Sequence, residues 1–163
     1  MPVTVRDARP GDGAALAALH EQMGAYYAEL APEHFRRPDV DGMAVEIDRE
    51  LGDTPADVLA LVAQVDGEVA GALWAALVDA PGEREIDAES SRRVRIDYVV
   101  TAADRRRQGI AAALVEAAEA WGRANGALTA EATTYRPSPL SFPFWTDRMG
   151  YAERSVNLRK HLA

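Results

Sequence analysis

Apolar and polar positions alternate over Val3-Thr4-Val5-Arg6, the period of a short strand, and Arg9-Pro10-Gly11-Asp12 interrupts it with Asp12 placed to cap a helix. Leu16, Leu19, Met23, Tyr26 or Tyr27 and Leu30 then recur at steps of three and four, one apolar stripe on a helix that Pro32 ends. Met43, Ile47 and Leu51 set a second helix over about residues 41–51. The apolar runs Val58 to Val65 and Val69 to Val78 are separated by Asp66-Gly67, the chain's strongest hairpin signal, and predict an antiparallel pair. Ala80 to Arg93 is polar and aperiodic, which predicts a loop or a loose extension of its neighbours.

Val94, Ile96, Tyr98 and Val100 predict one face of a further strand, with Arg95, Asp97 and Val99 on the other. A turn leads directly into a helix over about 107–125, with Ile110, Leu114, Val115, Ala118 and Trp121 on one face and Asn125-Gly126 as its stop. Leu128 to Thr134 reads as a strand, a proline-punctuated loop precedes a short helix near 142–149, and Tyr151 to Leu158 alternates as a last strand. Trp74 and Trp121 are read as core. The order is α/β, and no repeat or linker divides residues 1–163, so one domain is expected.

Composition narrows the chemistry. The chain has 163 residues, 48% of them hydrophobic, which suits a globular core. With no cysteine, a thiol nucleophile and a thiolate zinc site are excluded, and His20, His34 and His161 lack metal-ligand spacing, so no metal is expected. A net charge of −8 disfavours nucleic acid and anionic membranes as partners. No apolar run has the length of a membrane span or a signal-peptide core, and a cytoplasmic location is the expectation.

The informative stretch is Val99 to Ala111: a strand, the basic loop Arg105-Arg106-Arg107-Gln108-Gly109, then a helix. The first amides of a helix lack internal acceptors and sit at the positive end of its dipole, so an anion placed there gains several hydrogen bonds. Gly109 permits close approach, Ala111 keeps the first turn uncrowded, and three consecutive arginines add charge, a combination suited to a diphosphate. The glycine-lysine signature of a P-loop and the glycine triplet of a dinucleotide fold are both absent, which weighs against a nucleotide-binding module.

Arg106-Arg107-Gln108-Gly109-Ile110-Ala111 resembles the Arg/Gln-x-x-Gly-x-Gly/Ala signature of the GNAT acyltransferase superfamily. Ile96 to Val100 precedes it as the expected strand, and Trp145-Thr146-Asp147-Arg148-Met149-Gly150-Tyr151 is similar to the family's closing motif. The resemblance implies a mixed, mostly antiparallel sheet of about six to seven strands with about four helices and splayed fourth and fifth strands. It implies acetyl-CoA lying in that splay, paired to amides of Val99, Val100 and Thr101, with its pyrophosphate on the backbone of Arg106, Arg107, Gln108, Gly109, Ile110 and Ala111. It further implies direct acetyl transfer to a primary amine of a small molecule or protein in a ternary complex, and homodimer formation.

Such a transfer needs a neutral amine, and Asp97 and Glu131 are the candidate proton acceptors, the alternative for each being a solvated strand residue. Many members place a tyrosine four residues before the closing glycine as proton donor; here that position is Thr146, a poor acid, and Tyr135 is the candidate replacement. Tyr26, Tyr27, His34 and Phe35 fall where the resemblance places the acceptor, and simple packing is their alternative. The competing function is a non-catalytic acyl-CoA-binding or regulatory domain that kept the loop and lost the acid.

Overall fold

The computed structural model describes residues 2–79, 92–160 and 162, in two compact units, residues 1–133 and 134–163. The first holds β1 (Thr4–Asp7), α1 (Gly13–Leu30), α2 (Met43–Gly52), β2 (Val58–Val65), β3 (Glu68–Val78), β4 (Arg93–Thr101), α3 (Ile110–Ala124) and β5 (Thr129–Ala132). These strands form one sheet in the order β1-β2-β3-β4-β5, antiparallel except for the parallel pair β4–β5. The mixed α/β expectation holds, with five strands among the described residues where six to seven were expected.

The β2–β3 turn forms where expected: Asp66 and Gly67 both take positive φ, 54° and 83°, the backbone twist that suits a two-residue hairpin. Alternation along the strands gives the sheet two apolar faces. On one, Leu16 and Leu19 of α1 and Leu51 of α2 pack with Ala60, Val62, Ala72 and Val100. On the other lies α3, whose Ile110 and Leu114 approach Gly71 while its Gly122 sits against Val94.

Asp12 does not cap α1 with its side chain. Its carboxylate instead accepts from both terminal nitrogens of Arg6 at 2.8 Å and from the Arg9 N–H at 2.9 Å. The Arg6 guanidinium holds Asp12 below the usual carboxylate range, opposed by the desolvation of a nearly buried group. The start of α1 is satisfied by a distant residue: Asp48 Oδ1 of α2 accepts from the Gly11 and Gly13 N–H groups, each at 2.8 Å.

The expected single face of β4 is broken. Trp74 lies opposite Tyr98 while Ala75 lies opposite Ile96, so Asp97 is the extra residue of a β-bulge. Val94 therefore faces α3, whereas Tyr98 and Val100 face α1 and α2. The helix expected from 107 begins at Ile110, because Arg107 and Gly109 are left-handed at φ 63° and 82°. The expected loop falls for the most part on residues 80–91, outside the described residues, and Arg93 already belongs to β4.

In the second unit, the short helix expected near 142–149 is α4 (Ser141–Pro143) followed by a wider turn, Phe144–Arg148, closed by the Met149 N–H on the Phe144 carbonyl at 3.0 Å. Tyr151 to Leu158 forms no strand. Its alternation is not matched by burial: Val156 is 81% exposed and Leu158 88%, so no apolar face is covered to fix a register.

Candidate functional site

The site is built where β4 loses its second neighbour. The parallel ladder runs Arg93 to Thr129, Val94 to Ala130, Arg95 to Glu131 and Ile96 to Ala132, and then stops, while β4 continues to Thr101. A notch opens at the bulged Asp97. The Ala102 N–H donates to the Ala70 carbonyl of β3 at 2.8 Å, and residues along a strand turn their backbone groups to alternate edges. Val100 therefore pairs toward β3, opposite Ala72, and the groups turned to the notch are those of Val99 and Thr101. The Thr101 hydroxyl is buried with no hydrogen-bond partner in the described structure.

The chain leaves β4 through a tight turn, Ala103–Arg105, anchored by the Ala103 N–H donating to Gln22 Oε1 of α1 at 2.9 Å. Helix α1 tracks β4 and the loop beyond it. His20 sets its ring edge-on to Tyr98 at 6.4 Å, Gln22 holds Ala103, and Tyr26 lies under the Arg106 guanidinium at 5.4 Å. Arg105 reaches Glu68 at 3.8 Å and Asp104 at 3.9 Å. Arg106 and Arg107 are exposed and make no ion pair among the described residues.

Among the described residues no side chain caps α3, which leaves its first amides available, and a Cβ built on Gly109 would meet nothing within 4 Å. Open space over a left-handed glycine, uncapped amides and two exposed guanidiniums without ion-pair partners among the described residues suit the diphosphate of acetyl-CoA, and the Val99 and Thr101 edge suits its amide-bearing arm.

The two proton-acceptor candidates lie on β4 and β5 and both are ion-paired. Asp97 accepts from Arg95 Nε at 2.6 Å and Nη2 at 3.3 Å, and Glu131 accepts from Arg93 Nε at 2.8 Å. Asp97 stands at the mouth of the notch; Glu131 lies one register step inside the paired ladder. Tyr98, next to the bulge, is pushed up to about 12, chiefly by burial and further by the charge of Glu50, so its phenol stays a neutral donor.

Tyr26, Tyr27, His34 and Phe35 do come together. Tyr27 packs on Tyr26 and on Phe35, each at 5.1 Å, and His34 meets Phe35 edge-on at 6.5 Å. With Arg106 on Tyr26, this aromatic group stands beside the basic loop. In the second unit, the Thr146 hydroxyl is within reach of the Phe142 carbonyl at 3.1 Å and Asp147 Oδ1 at 2.8 Å, and Tyr135 opens the turn whose carbonyl receives the Ser138 N–H at 2.9 Å.

Sequence reading missed a pocket of about 490 Å³ on the α1/α2 side of the sheet, lined by Arg49, Glu50, Asp53, Pro55, Val58 and Trp74. Trp74, expected as core, is only partly buried and forms part of that lining. Nothing in its apolar strand surroundings marks an indole that borders open space. Among the described residues no group is arranged to hold a metal ion, and no helix is long and apolar enough to cross a membrane.

Comparison with known proteins agrees with this geometry. No curated protein matches the chain in sequence. The BH1408 protein of Bacillus halodurans, solved as a tetramutant, superposes with a TM-score of 0.83 at 19% identity, over 98% of this chain and 99% of that one. A ribosomal-protein-alanine N-acetyltransferase from Brucella melitensis superposes with a TM-score of 0.68 at 19% identity, over 99% and 100%. The aminoglycoside N-acetyltransferase AAC(6')-Iy, solved in complex with CoA, superposes with a TM-score of 0.69 at 18% identity, over 99% and 96%. The sequence profile of the acetyltransferase (GNAT) family matches residues 17–151, and the chain belongs to that family.

Proposed function

We propose that this protein transfers the acetyl group of acetyl-CoA directly to a primary amine. The observation that carries this reading is the end of the β4–β5 ladder at Ile96 and Ala132, with β4 continuing past it into the basic loop and its left-handed Gly109. The strand edge and the loop are thereby in series along one stretch of backbone, as a thioester on a long arm joined to a diphosphate requires.

The amine nitrogen attacks the thioester carbonyl carbon; the C–N bond forms, the C–S bond breaks, the nitrogen loses a proton and the departing sulfur gains one. The Val99 N–H, turned to the notch, is the donor we assign to the carbonyl oxygen as charge develops on it. Asp97 is the proton acceptor we assign. Two hydrogen bonds from Arg95 hold it at the notch mouth, and each carboxylate oxygen retains a further lone pair. Glu131, held by Arg93 within the ladder, is the reserve candidate. Tyr135 remains the proposed proton donor on sequence grounds alone.

Thiol release from acetyl-CoA with a panel of amines tests this function. Asp97→Asn is expected to lose about a hundredfold in rate at neutral pH, with the loss shrinking as rising pH supplies free amine, and Tyr135→Phe to slow turnover at unchanged acetyl-CoA affinity. A wild-type pH–rate profile in Asp97→Asn removes it from proton transfer, and equal turnover in Tyr135→Phe removes that residue. Acetyl-CoA binding with no thiol release for any amine would instead favour the non-catalytic binding domain.

A further inference from the structure

We propose that the pocket lined by Glu50, Asp53 and Trp74 receives a second positive charge of the acceptor, so that the preferred substrates are amines bearing at least two ammonium groups. This deepens the function proposed above and rests on it.

The pocket has a volume of about 490 Å³, within the range of ligand sites, and it joins an indole wall to two carboxylates. Arg49 also lines it, leaving a net charge of −1 among its side chains. The acids elsewhere on β4 and β5 are tied to arginines, Asp97 to Arg95 and Glu131 to Arg93. Glu50 and Asp53, by contrast, have no hydrogen-bond or ion-pair partner for their side chains among the described residues. An ammonium between two carboxylates and an aromatic face gains from both Coulomb attraction and the ring quadrupole.

Position supplies the rest. Trp74 lies directly opposite Tyr98 across the β3–β4 pair, and Tyr98 is the residue between the bulge and Val99. Trp74 and Tyr98 face the same side of the sheet, and the charge of Glu50 is felt at the Tyr98 phenol. Trp74, a wall of the pocket, is thus the cross-strand neighbour of Tyr98, the residue that follows the bulge at Asp97 where the notch opens. Neighbouring strands are about 5 Å apart and the notch lies on the far edge of β4, so a charge held over Trp74 is about 5–10 Å from an amine at the notch, a separation that a diamine or triamine can span. One nitrogen must be neutral to attack; the other stays charged and is held.

The test uses butylamine, 1,4-diaminobutane and spermidine with the full chain, by calorimetric titration in the presence of CoA and by acetyl transfer. The diamine and the triamine are expected to show about tenfold higher kcat/KM than butylamine, mainly through KM. The E50Q/D53N variant should bring the three amines to within about twofold while acetyl-CoA affinity and butylamine turnover stay unchanged. Trp74→Leu should lower the preference partway. Equal affinity for all three amines in the wild type, or a preference that survives E50Q/D53N, overturns this inference and leaves the transferase reading standing. Failure to bind acetyl-CoA overturns that reading instead, and the amine titration without CoA then decides the pocket separately.

Discussion

Gly109→Glu is expected to lower acetyl-CoA affinity by about a hundredfold or more with the fold intact. Gly109 has φ 82° and nothing within 4 Å of where its Cβ would lie, so a glutamate there projects into the space assigned to the diphosphate. The left-handed backbone costs a non-glycine residue about 1 kcal/mol, which a domain stable by about 5–15 kcal/mol tolerates. The carboxylate then sets like charge against the phosphates at the mouth of the uncapped α3, where the helix dipole favours anions. Gly109→Ala separates the two effects, since it carries the backbone strain without the charge and should retain most of the affinity. Calorimetric titration with a thermal melt of each variant reads both quantities. Wild-type affinity in Gly109→Glu would remove the loop from the binding site.

Gly122→Leu is expected to destabilise the protein by about 3 kcal/mol through overpacking, a fall of about 6–12 °C in Tm for a chain of this size. A Cβ at Gly122 would lie 2.1 Å from Val94 Cγ2 and 3.5 Å from the Ala127 Cβ. Val94 is 1% exposed and β-branched, so it has little rotamer freedom with which to yield. The contact sets how closely α3 lies on β4, and Val94 is also a rung of the short β4–β5 ladder, opposite Ala130. Adding Val94→Ala should restore part of the loss, a non-additive result expected of residues in contact. Differential scanning calorimetry of the single and double variants decides it, and an unchanged Tm for Gly122→Leu would mean that α3 does not sit this close to the sheet.

Local signals were the legible part. The Asp66-Gly67 hairpin, the apolar stripe of α1 and the glycine opening α3 are set by chemistry within a few residues of one another, and each forms where the pattern places it. Features set by distant partners were not. The bulge at Asp97 depends on the register against Trp74 and Ala75, and it reverses the facing of Tyr98 and Val100, which strict alternation had put with Val94. Asp12 has the identity and position of a cap, yet Arg6 claims it and Asp48, from another helix, does the work. Tyr151 to Leu158 alternates like a strand, but alternation yields a strand only when another edge pairs with it and one face is buried.

At the site, the basic loop was readable because charge, glycine and helix start are contiguous in sequence. The pocket of Glu50, Asp53 and Trp74 joins the end of α2 to the middle of β3, and no periodicity connects those positions. Tyr26, Tyr27, His34 and Phe35 do gather, but beside Arg106, because α1 runs along β4 toward the loop.

The most direct measurement is calorimetric titration of the purified protein with acetyl-CoA, using ATP and NAD as controls, since it needs no knowledge of the acceptor. Micromolar binding of acetyl-CoA without binding of ATP or NAD is the expected result. Binding of none of the three, or of all three alike, would contradict the assignment of the β4 notch and the Arg106–Gly109 loop to acetyl-CoA.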